Sequence, residues 1–434
     1  MIRSSSNSEL TLRLALLAVG TFVLGTDGFV LAGLLPDVAR DLDVSVAQAG
    51  QLTTAFAIAY AIGSPVIATA TGRLDRRIVL GAGMAVFLIG MAAQAAGPNY
   101  PVVLAGRILS GLGAAGFQAN AFAVAGVLSP PARRARSLAV VGAGASLATV
   151  AGVPFGVLVG QQIGWRAAMW VIAGLAAVAA VLTVFLPAVR LPSATLGERF
   201  RLLATPAMLL LLCATVLQLV PQFAVLSYVA PILGASASSV LVALIVFGVA
   251  FFVGNRVVGA LADRWGGLRV IALGLSVSAV SMVVLWAVRM NLAAAIVALV
   301  GIGLVGSFQV TPQQTRVFAA GGAAATVALG LNGSMIYVGS GVGAALGGGV
   351  VASAGVGWVP LVAAAVAVVA LVFTVLTAPE RRPVPPERSP VPPERSPVPP
   401  ERRPDRAPAS DNTRMRTTEQ FGNAGAAPGT RLGD

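Results

Sequence analysis

Twelve apolar stretches of about span length follow one another along this chain, and that succession constrains its fold more than any other feature. They fall at 12–35, 47–71, 78–97, 101–128, 137–162, 167–188, 206–231, 238–262, 269–288, 291–315, 322–352 and 357–378. About 20 apolar residues cross a hydrocarbon core of about 30 Å as an α-helix. Spanning strands would need short alternating segments, which the sequence lacks. Only 10% of residues are charged and 57% are hydrophobic, against roughly a quarter charged in an average soluble domain. The prediction is an all-α membrane protein of twelve transmembrane helices.

A net charge of +13 would suggest nucleic-acid binding in a soluble chain, so the placement of the charges decides their meaning. All 29 basic residues are arginine. Ten lie from Glu380 onward among eight acids. Of those between the spans, Arg3, Arg13, Arg73, Arg76, Arg77, Arg133, Arg134, Arg136, Arg190, Arg199, Arg201, Arg264, Arg269 and Arg316 fall on one side. Only Arg40, Arg166 and Arg289 fall on the other. Basic residues concentrate in cytoplasmic loops, so this asymmetry predicts cytoplasmic termini in the cell membrane, with lipid and not nucleic acid as the surrounding partner.

Histidine is absent and cysteine occurs once, at Cys213 within an apolar run. This excludes imidazole catalysis, Cys/His metal sites and intramolecular disulfides. No carboxylate pair or nucleophile–base set suggests an enzyme, and no cofactor is implied. The first apolar run leads to Pro36 without a small-residue cleavage site, so it is expected to be a retained helix ending in a loop there.

The spans divide into halves. An N-terminal segment at 1–11 precedes six spans over 12–188, a polar connector at 189–205, six more spans over 206–378, and a Pro/Arg-rich tail at 379–434. Gly72-Arg73-Leu74-Asp75-Arg76-Arg77 after span two corresponds to Asp263 through Arg269 after span eight. Gly164-Trp165 corresponds to Gly357-Trp358, and Gly116-Phe117-Gln118 to Gly306 through Gln309. Two such repeats imply alternating access, with a substrate site near midplane between the halves. The tail repeats Pro-Val-Pro-Pro-Glu-Arg-Ser across 383–403. Its proline content predicts a polyproline II spacer, dispensable for the membrane part or serving as a partner's ligand.

At Gly259-Ala260-Leu261-Ala262-Asp263-Arg264-Trp265-Gly266-Gly267-Leu268-Arg269 the sequence resembles the signature of the major facilitator superfamily, in its twelve-span drug:proton antiporter branch. The first-half counterpart has Gly72 where the signature acid would fall, so the resemblance places gating on Asp263, Arg264 and Arg269, with Gly259 and Gly266 shaping the turn. Arg107-x-x-x-Gly111-x-Gly113 is similar to the branch's proton-coupling motif. Gly152-Val153-Pro154-Phe155-Gly156 is similar to its antiporter motif, with Val153 intervening between glycine and proline. The Gly25–Pro36 segment, carrying Asp27, resembles actinomycete chloramphenicol-resistance efflux proteins and arabinose-efflux permeases, whose usual acid position is Gly28 here.

Asp27 is the one acid well inside a span, which makes it the expected proton carrier. Arg107, costing about 2.5 to 3.5 kcal/mol in lipid, must face the interior or snorkel to the surface. Gln51, Tyr60, Gln118, Asn120, Gln222, Asn332 and Tyr337 are the polar candidates for the cavity, each equally able to hydrogen-bond a neighbouring helix. The resemblance implies a monomer exporting a small amphiphilic drug against protons, chloramphenicol being the best guess. Export of a sugar or endogenous metabolite, or a membrane sensor that transports nothing, remain open alternatives.

Overall fold

The computed structural model describes residues 7–130, 133–190, 197, 201–202 and 204–377. The proline-rich tail and most of the polar connector lie outside them. Among the described residues, twelve helices are long and apolar enough to cross a membrane.

In the first half, α1 spans Asn7–Asp41, α2 Val46–Ala70, α3 Arg76–Ala96 and α4 Tyr100–Leu128. The fifth, α5, runs Arg134–Leu147, passes through a π-helical turn at Ala148–Gly152 and resumes over Val153–Ile163; α6 is Trp165–Leu182. In the second half, α7 is Pro206–Ser227, followed by a short helix at Val229–Leu233. Then come α8 (Ala237–Trp265), α9 (Gly267–Val288), α10 (Leu292–Gly321), α11 (Ala325–Ser353) and α12 (Val359–Leu376).

Short polar signals start the helices. Ser45 and Gln48 form a reciprocal capping box at α2, while Asp75, Asn99, Ser236 and Asn291 accept backbone N–H bonds at the starts of α3, α4, α8 and α10. Each satisfies donors that a helix start leaves unpaired. Gly164 (φ 111°) and Gly355 (φ 90°) make corresponding tight joints in the two halves, in backbone conformations that side chains disfavour.

Two boundaries differ from the hydropathy reading. Helix α1 does not end at Pro36 but continues to Asp41. A helical proline forfeits one i→i−4 bond, and the flanking Leu34, Leu35 and Val38 are fully buried, so packing holds the segment helical. Likewise α10 continues through Pro312 to Gly321, which places Arg316 inside the helix and not in a loop.

Lipid offers helices no hydrophobic reward for pairing, so close backbone approach through small residues becomes important. Gly83, Gly90, Gly106 and Gly113 line the α3–α4 contact, each with the opposing backbone where a Cβ would stand. The broadest contact between the halves joins α2 to α11. Helix α1 also meets α7 and the Val229–Leu233 helix, and the π turn and second part of α5 meet α8. Most of these cross-half contacts lie toward the face opposite the arginine-rich ends: Gly33 on Leu244, Gly50 on Tyr228, Gly348 on Gln51, and Thr54 donating to the Gly341 carbonyl at 3.2 Å. Nearer the arginine-rich face, α5 and α8 meet through Asn255 and Ser146 at 3.4 Å.

Candidate functional site

Asp27 and Arg107 stand 80 residues apart in sequence and touch in the structure. The Arg107 Nη1 donates to Asp27 Oδ1 at 2.5 Å, and Nη2 reaches the Asp27 backbone carbonyl at 3.5 Å. Asp27 is 0% exposed and Arg107 1%, which resolves whether the arginine turns inward or snorkels: it turns inward. The pair is incompletely satisfied. Asp27 Oδ2 and Arg107 Nε are buried without hydrogen-bond partners, an unusual state for buried charged groups. A carboxylate with one free oxygen, held by one arginine, is equipped to accept a proton there and release it again.

The glycines beside Arg107 explain how its helix fits. Gly111, one turn on, lies against the Phe56 backbone, where a Cβ would stand 2.6 Å from the carbonyl oxygen. This brings the Phe56 ring beneath the guanidinium, with Arg107 Cζ 4.7 Å from the ring centroid. Phe56 in turn meets Tyr337 of α11 at 6.1 Å between centroids, and Tyr337 stacks on Tyr60 at 3.5 Å. A second cross-half stack joins Phe29 of α1 to Phe223 of α7 at 5.8 Å.

Helix α5 clasps α1 around the same acid. Gly152 faces Thr26 and Phe22, Gly156 faces Val30, and Gly160 faces Leu34, each too closely for a Cβ to enter without displacement. Pro154 lacks an N–H for Val150, and the turn before it widens: Val153 N–H bonds to Ala148 O, five residues back. Thr21 Oγ1 donates to the Val141 carbonyl at 2.7 Å, fastening the same two helices nearer the arginine-rich face.

The signature residues after α8 lie apart from this centre. Asp263, Arg264 and Arg269 are exposed, and Asp263 has no ion-pair or hydrogen-bond partner among the described residues. Gly266 adopts φ 83° between α8 and α9, and Gly259 faces open space. In the first half, the turn with Gly72 is instead held by Arg76. It is 4% exposed and donates to the Thr71 and Gly72 carbonyls at the end of α2 and to Asn120 Oδ1 at 3.2 Å. A cation at a helix C-terminus complements the dipole there.

The polar cavity candidates separate by location. Tyr60 and Tyr337 adjoin the Asp27–Arg107 centre, and Gln51 lies in the same α2–α11 seam beside Gly348. Gln222 is buried against Gly306 of α10, and Gln118 is half-buried with Oε1 unpartnered. Asn120 is taken up by Arg76 and the Gly116 carbonyl, and Asn332 by Thr215 at 2.7 Å. Two side chains escaped the sequence reading. Phe56 looks like ordinary apolar filler, and Arg256 falls within the apolar run of α8, where it is exposed and packs over the Phe252 ring at 5.1 Å. No group of His, Cys, Asp or Glu among the described residues could hold a metal ion.

Twelve helices long and apolar enough to cross a membrane, among the described residues, make this a multi-pass membrane protein. The model of the Major Facilitator Superfamily matches residues 17–318 and 207–414, and the chain belongs to that family. It is 39% identical over 264 residues to a chloramphenicol resistance protein of Streptomyces lividans, covering 58% of this chain and 67% of that one. It is 33% identical over 376 residues to the inner membrane transport protein YdhP of Escherichia coli K12, covering 83% and 95%. Among solved structures, a bacterial homologue of the human lysosomal transporter Spinster, inward-facing and unoccupied, superposes with a TM-score of 0.68 at 16% identity, over 86% of this chain and 98% of that one. A D-xylose–proton symporter gives 0.68 at 17%, over 86% and 99%. These are the family and fold of transporters of small molecules, not of enzymes.

Proposed function

We propose that this chain exports a small amphiphilic drug across the cell membrane in exchange for protons, with a chloramphenicol-like neutral molecule as cargo. The observation that carries this reading is the Asp27–Arg107 pair, closed to solvent and with one carboxylate oxygen unpartnered. With Asp27 ionised, the two charges compensate each other. When Asp27 takes up a proton, Arg107 loses its counterion, and the balance between two arrangements of the halves shifts by that difference. One buried acid carries a proton but leaves no second acid for a permanently cationic cargo, which favours a neutral one. The Streptomyces lividans relative, by its name a chloramphenicol resistance protein, points to the same cargo.

The arginine-rich face is the cytoplasmic one by the positive-inside asymmetry. Because most cross-half contacts lie toward the opposite face, the present arrangement is the one that admits cargo from the cytoplasm. Asp263, exposed and without a partner here, is the gating acid: it gains a helix terminus or an arginine when the cytoplasmic side closes. In inverted membrane vesicles holding an acid interior, chloramphenicol should enter and dissipate the proton gradient. Uptake that leaves the gradient untouched and survives its collapse would overturn the antiport reading.

A further inference from the structure

Asp27 and Arg107 both belong to the first half, yet alternating access requires the second half to respond to them. One continuous run of side-chain contacts leads across from the guanidinium. Arg107 lies over Phe56, Phe56 meets Tyr337, and Tyr337 stacks on Tyr60. Phe56 and Tyr60 are one turn apart on α2, so Tyr337 of α11 contacts both rings across the broadest interface between the halves. One turn further along α11, Gly341 packs on Ala57 and accepts the Thr54 hydrogen bond, so the backbones cannot slide independently of the rings.

We propose that Tyr337 is the positioning residue that couples protonation of Asp27 to the parting of the two halves, through the Phe56–Tyr337–Tyr60 stack. This rests on Asp27 being the proton carrier. In the ionised state Arg107 is held between the Asp27 carboxylate and the Phe56 face. Proton uptake removes the first attraction and leaves the second, since the ring's negative face still attracts a cation held over it. The guanidinium then moves with Phe56, and Tyr337 transmits that movement to α11. The charged and titratable side chains of the spans that surround Asp27 are Arg107 from α4, Tyr60 from α2 and Tyr337 from α11. Helices α5, α6 and α7 bring none at this depth.

The test uses the full-length protein with Cys213→Ala and Gln51→Cys, in which an impermeant thiol reagent applied from outside reads opening of the α2–α11 seam. In this background, acidification should change the labelling rate, taken relative to that of the denatured protein at the same pH so that the loss of thiolate cancels, by a factor on the order of 5–150, the range of coupling between two sites. Tyr337→Leu should reduce that factor to about 1, with chloramphenicol binding measured alongside. Tyr337→Phe, which keeps the ring and loses only the hydroxyl, should restore it. Asp27→Asn separates the two claims. If it abolishes the acid response but Tyr337→Leu does not, the coupling role of Tyr337 is wrong and Asp27 stands. If Asp27→Asn leaves the response intact, the carrier assignment itself fails, and with it the premise of the proposal. A Tyr337→Leu protein that no longer binds chloramphenicol, with Tyr337→Phe also inactive, would overturn the positioning role in favour of direct cargo contact.

Discussion

Gly152 faces Thr26 so closely that a Cβ at 152 would overlap the threonine Oγ1, one residue before the buried carboxylate. Gly152 thus sets how near α5 comes to the stretch of α1 that carries Asp27. Gly152→Ala should destabilise the protein by about 1–3 kcal/mol through overpacking and slow transport. Adding Thr26→Ala removes the nearest obstructing atom and should recover part of both losses. Thermal unfolding in detergent, with resistance assayed alongside, checks this. No recovery in the double variant would mean that Gly152 acts otherwise than by spacing these helices.

The buried pair makes a separable prediction. Arg107→Gln alone leaves Asp27 buried beside no cation, and breaking a buried pair costs about 3–5 kcal/mol. Asp27→Asn combined with Arg107→Gln removes both charges and should return stability to near the starting value, without restoring drug export. A double variant that exports normally would make the pair a structural element only.

The number of spans is legible in the sequence, and Asp27 and Arg107 stand out as charges within them, because hydropathy and charge within lipid are read residue by residue. That Asp27 and Arg107 meet was not readable, since periodicity does not say which faces of α1 and α4 turn toward each other. Pro36 suggests an end where packing carries the helix onward, and hydropathy ends the tenth span at 315, which assigns Arg316 to a loop. Arg256 was lost inside an apolar run. Phe56 has no chemical signature of its own; only the Gly111 contact, which draws its backbone toward α4, gives it a role.

Gating by Asp263 predicts a population shift. The carboxylate has no partner in the arrangement described here, so Asp263→Asn removes an interaction available only to the other one. Labelling of Gln51→Cys from outside should therefore slow in Asp263→Asn, with the fold intact. Unchanged or faster labelling would assign Asp263 to an ordinary solvated turn.

Orientation follows from arginine placement. Met290, 91% exposed at the face with few arginines, should as Met290→Cys react with an impermeant maleimide in intact cells. Trp265→Cys, at the arginine-rich end of α8, should react only after permeabilisation. The reverse pattern would invert the topology and the direction of transport.

Asp27→Asn in proteoliposomes tests the central claim most directly. The substitution keeps the shape of the side chain and removes its ability to ionise. Chloramphenicol accumulation against its gradient, driven by a pH difference, should disappear, while exchange of chloramphenicol down its gradient persists. Accumulation at the starting rate with the same pH dependence would contradict the account and remove Asp27 as the carrier.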